Sequence, residues 1–313
     1  SAAIRAFLER TERSYVAEKL RADWIRWLGK RGMWAEIDVE YPKLIAPEPD
    51  VTCYFQQARL AAGDKAVLDE PQKLWLTMLE PPEACRPVLE ALIRDNRVTA
   101  DDVWTRARRQ FEANRTGNAR NTLGALPASQ TPDAKALDLA ISSPVGYLAR
   151  QPGNWNTTRA GRELAALAIQ RIAANDPRAA ANELEKLQGR MQESERQWAW
   201  SQIGLQAAKK HYPEAVAWFA QAGSAPLSDE GYQWKVRAAL RAHDWSMVLA
   251  TVSEMPPTLA AQPEWVYWLG RAYKAGGLTS EADALFEKIA GQANFYGNLA
   301  DEELGRKIIV PPK

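Results

Sequence analysis

The sequence predicts an all-α protein, a superhelical solenoid of stacked helical hairpins. Apolar and small residues recur at the three- and four-residue steps of one helix face, and turn residues interrupt them at intervals of roughly 33 residues. Sustained apolar–polar alternation is missing, as are Asn-Gly or Asp-Gly turns between β-branched runs. Because such a hairpin buries its apolar face only against its neighbours, we expect the hairpins to stack into a superhelix.

The clearest hairpin lies near the C-terminus. Its first helix has an apolar face of Trp265, Trp268, Leu269, Ala272, Tyr273 and Gly276. Gly276-Gly277 ends that helix, and Thr279 or Ser280 is a suitable N-cap for the next one. The second helix repeats the stripe with Ala282, Leu285, Phe286 and Ile289.

Earlier turns follow the same period. Turns are predicted at Asp176, His211, His243 and Gly276, with spacings of 35, 32 and 33 residues. Two short helices and two turns require a repeat of about this length. Further turns are expected, in the N-terminal part, at Gly32, Gly63 and Asn96-Arg97.

The composition of the sequence changes between residues 124 and 158, where prolines separate predicted short helices such as 133–141. We therefore predict four parts. They are an N-terminal hairpin array (1–123), a proline-rich joint (124–158), a C-terminal hairpin array (159–305) and a tail (306–313) that continues as a linker, with an extended stretch at 308–311.

Length and composition exclude several classes of protein. A chain of 313 residues exceeds one ordinary core, which indicates two domains or an extended array. With 40 basic and 39 acidic residues, it lacks the basic excess of a dedicated nucleic-acid or anionic-membrane binder. No run of eighteen apolar residues suggests a membrane span. The start, Ser1-Ala2-Ala3, does not resemble a native N-terminus and does not decide the compartment.

We find no catalytic centre and no cofactor or metal site in the sequence. His211 and His243 hold equivalent positions in consecutive turns, which favours a structural role at helix C-termini. Phosphate-binding glycine loops are missing. The acidic run 301–303 is expected on a solvated helix face, and so are Arg106, Arg108 and Arg109, unless they meet an anionic polymer.

The 13 tryptophans are expected to pack between helices, because large rings contribute much buried area. A second reading, that some of them stack on sugar rings, requires an exposed ring.

Cys53 and Cys85 are 32 residues apart, about one hairpin period, so they could lie on adjacent helices. A disulfide there would stabilise the fold by roughly 3–4 kcal/mol. The alternative is a pair of buried thiols in a reducing cytosol. Two cysteines without nearby histidines make no zinc site.

The C-terminal residues resemble a known family. The stretch 264–271 (EWVYWLGR), then Ala282, Leu285 and Phe286, and the stretch 295–305 (FYGNLADEELG) are similar to segments of the soluble lytic murein transglycosylases. In that family a W-x-Y-W-x-[AG]-R helix and an F-Y-G-x-L-A-x-x-x-L-G helix end the superhelical region. The Cys53/Cys85 pair also looks like a disulfide pair of some members.

The resemblance implies a ring-like α-superhelix in the periplasm of a Gram-negative bacterium. In the family, a lysozyme-like domain follows the F-Y-G segment and cleaves the MurNAc–GlcNAc β-1,4 bond of peptidoglycan. One glutamate serves as acid and then base, and the C6 hydroxyl of the sugar attacks to give a 1,6-anhydro product. The implied partners are peptidoglycan strands, the chain's own catalytic domain and other cell-wall enzymes.

The sequence departs from the family where the catalytic domain should begin. After Gly305 eight residues remain, and Gly-Leu-Met-Gln and Ala-Tyr-Asn segments are absent. Glu193-Ser194 matches the family's catalytic dipeptide but precedes the W-x-Y-W helix, so we assign no catalytic residue. We therefore expect a non-catalytic region that guides or encircles peptidoglycan and positions the enzyme domain. The alternative is a tetratricopeptide-like protein-binding scaffold, because Trp265, Leu269-Gly270 and Tyr273 partly match that repeat.

Overall fold

The computed structural model describes residues 2–10, 14–69 and 71–307. Throughout these ranges the regular structure is helical, and no strand occurs, so the predicted all-α fold class is confirmed. No helix within them is long and apolar enough to cross a membrane. The extended stretch predicted at 308–311 lies outside the described residues.

The chain divides into two compact units, Ser1–Thr131 and Pro132–Lys313. The division falls inside the stretch 124–158 that the sequence predicts as a joint. We call the two parts unit 1 and unit 2.

Unit 1 contains eight α-helices in its described residues: α1 (Ala2–Arg10), α2 (Tyr15–Gly29), α3 (Trp34–Glu40), α4 (Pro49–Ala61), α5 (Pro71–Thr77), α6 (Arg86–Arg94), α7 (Ala100–Glu112) and α8 (Thr116–Leu123). Local sequence fixes where several of them begin. The Ser14 hydroxyl accepts the Ala17 N–H and caps α2, while Thr99 and Asp102 form a capping box that starts α7. The core between α2, α3 and α4 is apolar and includes the fully buried Ile25 and Ile37.

Unit 2 contains twelve α-helices in its described residues: α9 (Ala134–Ser142), α10 (Pro144–Ala149), α11 (Arg159–Asn175), α12 (Pro177–Leu187), α13 (Glu193–Lys209), α14 (Ala215–Gln221), α15 (Asp229–Arg241), α16 (Trp245–Glu254), α17 (Pro257–Ala260), α18 (Pro263–Ala275), α19 (Thr279–Glu287) and α20 (Phe295–Glu303). The pairs α11–α12, α13–α14, α15–α16 and α18–α19 each pack together. These pairs are the hairpins that the sequence predicts.

In two of these hairpins an aromatic ring of one helix packs against a glycine of the other. A Cβ atom added to Gly204 in α13 would lie 2.9 Å from Cγ of Phe219 in α14. One added to Gly270 in α18 would lie 2.6 Å from Cε1 of Phe286 in α19. Both phenylalanines are buried, so the missing side chain lets an aromatic ring pack directly on the facing helix backbone.

Left-handed residues end the first helix of several pairs. In unit 1 positive φ occurs at Gly32, Gly63 and Asn96, which are 31 and 33 residues apart, and also at Asn114. In unit 2 it occurs at His211, His243 and Gly277, which are 32 and 34 residues apart, and also at Gly223, Gly291 and Gly305. The turns predicted at Gly32, Gly63, Asn96, His211 and His243 are therefore confirmed, including the equivalence of the two histidines. In the next turn the left-handed residue is Gly277 rather than Gly276, and the turn at Asp176 is extended, with a φ of −136°.

The predicted N-cap of α19 is wrong. Leu278, not Thr279 or Ser280, holds the N-cap position, and Thr279 is already helical. The Leu278 N–H donates to the Tyr273 carbonyl oxygen at 2.9 Å, closing the Gly276-Gly277 turn tightly enough for the next helix to begin at once.

Candidate functional surfaces

One tryptophan differs from the other twelve. Trp27 on α2 is 46% exposed, whereas the others are buried or half-buried between helices. The prediction that the tryptophans mainly pack between helices is confirmed for these twelve. Trp27 alone meets the condition for stacking on a ligand.

Trp27 lines a groove of about 380 Å³ in unit 1. The groove walls are almost entirely apolar and come from α1 and α2, with Ile4, Leu20 and Trp24 beside Trp27 and Asp23 contributing a carboxylate. On the indole itself, the Arg31 guanidinium carbon lies 3.9 Å from the ring centroid, a cation–π contact that occupies one face of the ring. The arrangement provides an aromatic surface with a carboxylate at its edge.

An ion-pair cluster stands behind this groove and ties α2 to α4. Nε of Arg26 donates to Asp50 at 2.7 Å, and its other nitrogens donate to Asp23 at 2.8 Å and Glu48 at 2.6 Å. The Arg26 hydrogen bond holds the pKa of the Asp50 carboxyl below its ordinary value. The same cluster fixes Asp23 at the groove edge.

Cys53 and Cys85 form a disulfide that joins α4 to the short 3-10 turn preceding α6. Their Cα atoms are 4.9 Å apart, and both side chains are buried. The sequence places the cysteines one hairpin period apart, and the fold of unit 1 brings them into contact.

The family-like residues at the C-terminus form one packed cluster. The Tyr267 ring centroid lies 5.2 Å from that of Trp268, 5.7 Å from that of Phe286 and 5.6 Å from that of Tyr296. Tyr267 therefore joins α18, α19 and α20. Burial raises the pKa of the Tyr267 hydroxyl above its ordinary value.

Around this aromatic cluster, Glu303 of α20 forms ion pairs with two cations of α18. Arg271 approaches it to 3.1 Å and Lys274 to 2.7 Å. Arg271 also donates to the Tyr267 hydroxyl at 3.1 Å. By contrast, Phe295 is 68% exposed and touches Tyr296 edge to face, so the first residue of the F-Y-G segment faces solvent.

The expected solvated face at 301–303 is wrong for two of its three residues. Asp301 is buried, and its carboxylate accepts the Gly291 N–H at 3.0 Å, while Glu303 makes the ion pairs described above. Only Glu302 is exposed. The buried acid caps the turn between α19 and α20, a long-range role that local sequence does not reveal.

The same expectation is wrong for Arg106. Its buried guanidinium donates to the carbonyl oxygens of Trp75 and Met78 and to the Thr122 hydroxyl, and it lies 4.9 Å from the Trp75 ring centroid. Burial lowers the pKa of Arg106 to about 10. Arg108 and Arg109 are half-buried. Arg106 holds the end of α5 rather than meeting an external polymer.

Glu193-Ser194 lies at the exposed beginning of α13, where Glu193 accepts a hydrogen bond from the Gln197 amide at 2.8 Å. No pocket wall surrounds this dipeptide among the cavities that we describe. Across the described ranges, no group of three or more His, Cys, Asp or Glu side chains is arranged to hold a metal ion.

Sequence reasoning misses a buried polar seam between α11 and α13. Arg162 donates to Glu195 at 3.1 Å, and both residues are buried. Arg162 also donates to the Asn156 carbonyl oxygen at 2.9 Å and so fixes the segment ahead of α11. From the sequence, Arg162 and Glu195 would each be predicted as an ordinary surface charge. Their spacing of 33 residues is the only signal that would pair them.

Comparisons with known proteins give a structural likeness only. Neither family models nor curated proteins match the sequence. Among solved structures, the lytic transglycosylase Slt from Pseudomonas aeruginosa, determined as an inactive mutant, is similar at 25% identity with a TM-score of 0.60. The 70-kDa soluble lytic transglycosylase in complex with bulgecin A is similar at 21% identity with a TM-score of 0.52.

Each of these alignments covers 98% of this chain and 50% of the other chain. The chain thus spans half the length of the solved structures that it matches. The likeness supports the resemblance to Slt-type lytic transglycosylases that residues 264–305 carry.

Proposed function

We propose that this chain is the superhelical, non-catalytic region of a periplasmic lytic transglycosylase, where it guides peptidoglycan strands and positions the enzyme domain. The observation that carries the proposal is the likeness to the Pseudomonas Slt structure over 98% of the chain. That protein is a lytic transglycosylase by name, and its chain is twice as long.

The C-terminal cluster supports the positioning role. Tyr267, Tyr296 and Glu303 lock α18 and α20 together, and a rigid end is what a following domain needs to keep a fixed orientation. The exposed Phe295 ring is available for such a domain to cover.

The disulfide supports the periplasmic assignment. Disulfides persist in oxidising compartments and are rare in a reducing cytosol. Intact-mass measurement of protein purified from the periplasm, with and without reductant, should show a loss of two hydrogens that the reductant reverses. Free thiols in such material would argue for another compartment.

Trp27 and its groove are our candidate contact with glycan. The apolar face of a pyranose ring stacks on indole, and Asp23 can accept hydrogen bonds from sugar hydroxyls. A groove of about 380 Å³ is within the size range of small-ligand sites.

The test is cosedimentation of the chain with purified sacculi. We expect the chain to pellet with sacculi and to release no anhydro-muropeptides by mass spectrometry. The Trp27→Ala variant should bind several-fold more weakly. Tyr15→Ala is the matched control, because Tyr15 is 81% exposed on the same helix but does not line the groove.

Three outcomes overturn parts of the proposal. Release of anhydro-muropeptides would disprove the non-catalytic assignment. Equal loss of binding in Trp27→Ala and Tyr15→Ala would remove the groove from the mechanism. Failure to bind sacculi, with recovery of one protein partner in a pull-down, would favour the tetratricopeptide-like scaffold instead.

A further inference from the structure

A second cavity, of about 260 Å³, lies in unit 2 where two consecutive hairpins meet. It is lined by the turn between α13 and α14 and by the end of α15. Ala208, Val216 and Ala238 supply apolar lining, here called the floor, and the polar groups come from His211, Tyr212 and Arg241. None of these residues has a part in the proposed guiding role.

Side chains outside the cavity contact both of the aromatic rings that line it. His211 has a φ of 60°, and its ring centroid lies 6.1 Å from that of Trp234. The Tyr212 ring carries the Arg178 guanidinium at 4.4 Å, and Arg178 is anchored by Glu214 at 2.7 Å. The Tyr212 ring is thus positioned before any ligand arrives, which lowers the entropic cost of binding.

The charge in the cavity is positive. Arg241 is exposed, and no carboxylate occurs among the described lining residues. Glu214, which follows the lining residue Pro213, pairs with Arg178 at 2.7 Å. A guanidinium presents two parallel N–H donors that match a carboxylate.

We propose that this cavity binds a small organic carboxylate with a compact apolar body. Arg241 receives the carboxylate, the Tyr212 hydroxyl and the His211 imidazole supply further hydrogen bonds, and the body rests on the alanine and valine floor. The inference is independent of the proposed function, because it concerns a free small molecule and needs no glycan.

The simpler role for Arg241 is to complement the dipole at the C-terminal end of α15. A lysine would fill that role as well as an arginine. A lysine cannot, however, form the bidentate hydrogen bonds that an arginine makes with a carboxylate. Arg241→Lys therefore separates the two roles, and Arg241→Gln removes the charge.

The test is methyl NMR titration of the full chain, labelled at alanine and valine, with N-acetylalanine as the probe. Ala208, Val216 and Ala238 report from the cavity floor. We expect saturable shifts at these methyls, with a Kd on the order of 1 mM. The neutral N-acetylalaninamide should give none.

The variants make the result specific. Arg241→Gln should weaken binding at least tenfold, and Arg241→Lys by a smaller factor. His211→Asn keeps a residue that tolerates positive φ and should weaken binding a few-fold. His243→Asn is the matched control in the next turn, outside the cavity lining, and should leave binding unchanged.

Shifts that do not saturate, an equal response to the amide, or full binding by Arg241→Gln would each overturn the proposal. Because Arg241 is exposed, its variants are expected to fold, and unchanged methyl spectra without ligand would establish that they do.

Discussion

In unit 1 the disulfide Cys53–Cys85 and the buried Arg106 connect segments that are distant in sequence, whereas in unit 2 two hairpins close through Gly204 on Phe219 and Gly270 on Phe286. Helix length does not distinguish the two units, since the helices have 7 to 15 residues in the described part of unit 1 and 4 to 17 in that of unit 2. Close packing on a glycine also occurs in unit 1, where a Cβ added to Gly29 would overlap the Tyr54 ring, so the disulfide is what unit 1 has in addition. Changes to the two kinds of connection should therefore have separable effects.

Removing the disulfide should give the largest effect. Cys53→Ser with Cys85→Ser, or reduction of the wild type, is expected to lower the free energy of unfolding by roughly 3–4 kcal/mol. The bond joins residues that are 32 positions apart in sequence, so its loss gives the unfolded chain back the entropy of that loop. Chemical denaturation followed by hydrogen exchange should localise the loss to α4 and α6. With two cysteines in the chain, reductant acts nowhere else. Equal acceleration of exchange in α18 and α19 would contradict the separation of the units.

Arg106→Met should lower the free energy of unfolding by roughly 2–3 kcal/mol, because the buried carbonyl group of Trp75 and the half-buried one of Met78 lose their donor. The free energy of unfolding by urea denaturation measures this. Arg94→Met is the control, since that side chain is 72% exposed, and its change should stay within about 0.5 kcal/mol. A similar small value for Arg106→Met would show that the carbonyls find other partners.

Gly270→Ala should destabilise unit 2 by about 1–3 kcal/mol, because the new methyl group overlaps the Phe286 ring. Gly117→Ala in α8 is the matched opposite case, since nothing lies within 4 Å of its added Cβ, and it should stabilise unit 1 by about 0.5–1 kcal/mol. Thermal unfolding of both variants gives the comparison. Equal signs for the two changes would refute the role assigned to close packing.

The smallest expected effect concerns two aspartates with lowered pKa values. The Arg26 side chain lowers the pKa of Asp50 in unit 1, and the Met247 backbone N–H lowers that of Asp244 in unit 2. Because both folded-state pKa values lie below the ordinary 3.8, each group stabilises the fold above that pH. The stabilisation is lost as pH falls through the folded-state value.

High salt should affect the two pKa values differently, because one is lowered by a charged side chain and the other by a backbone N–H. In 1 M NaCl the screening length falls to about 3 Å, so the pKa of Asp50 should rise toward its ordinary value while that of Asp244 changes less. Titration of the carboxyl carbons by NMR measures both at once. A larger salt response at Asp244 would reverse the assignment of causes.

Much of the fold is predictable because its causes are local. Helix periodicity and the turn residues at 32, 63, 96, 211 and 243 give the helical pairs, since a residue that tolerates positive φ ends a helix wherever it stands. Asp301 and Arg106 are misjudged for the opposite reason. Their partners, Gly291 and Trp75, belong to other segments, and the residues adjacent in sequence do not indicate the contact.

The candidate sites divide in the same way. The sequence indicates that a tryptophan could stack on sugar only if it is exposed, but which of the thirteen meets that condition depends on what packs against each ring. The two histidines are equivalent in sequence, yet only His211 lines the cavity that we describe, because Arg241 and Ala238 of the following hairpin complete its walls.

The sequence by itself determined the all-α class, the hairpin period, the turn residues and the family-like segment 264–305, because these depend on neighbours a few residues away or on the order of letters. Only the tertiary structure decided that Cys53 meets Cys85, that Trp27 is the exposed ring, and that Arg106 and Asp301 are buried. Burial and pairing depend on residues brought together across many positions, and those distances are set by packing rather than by local pattern.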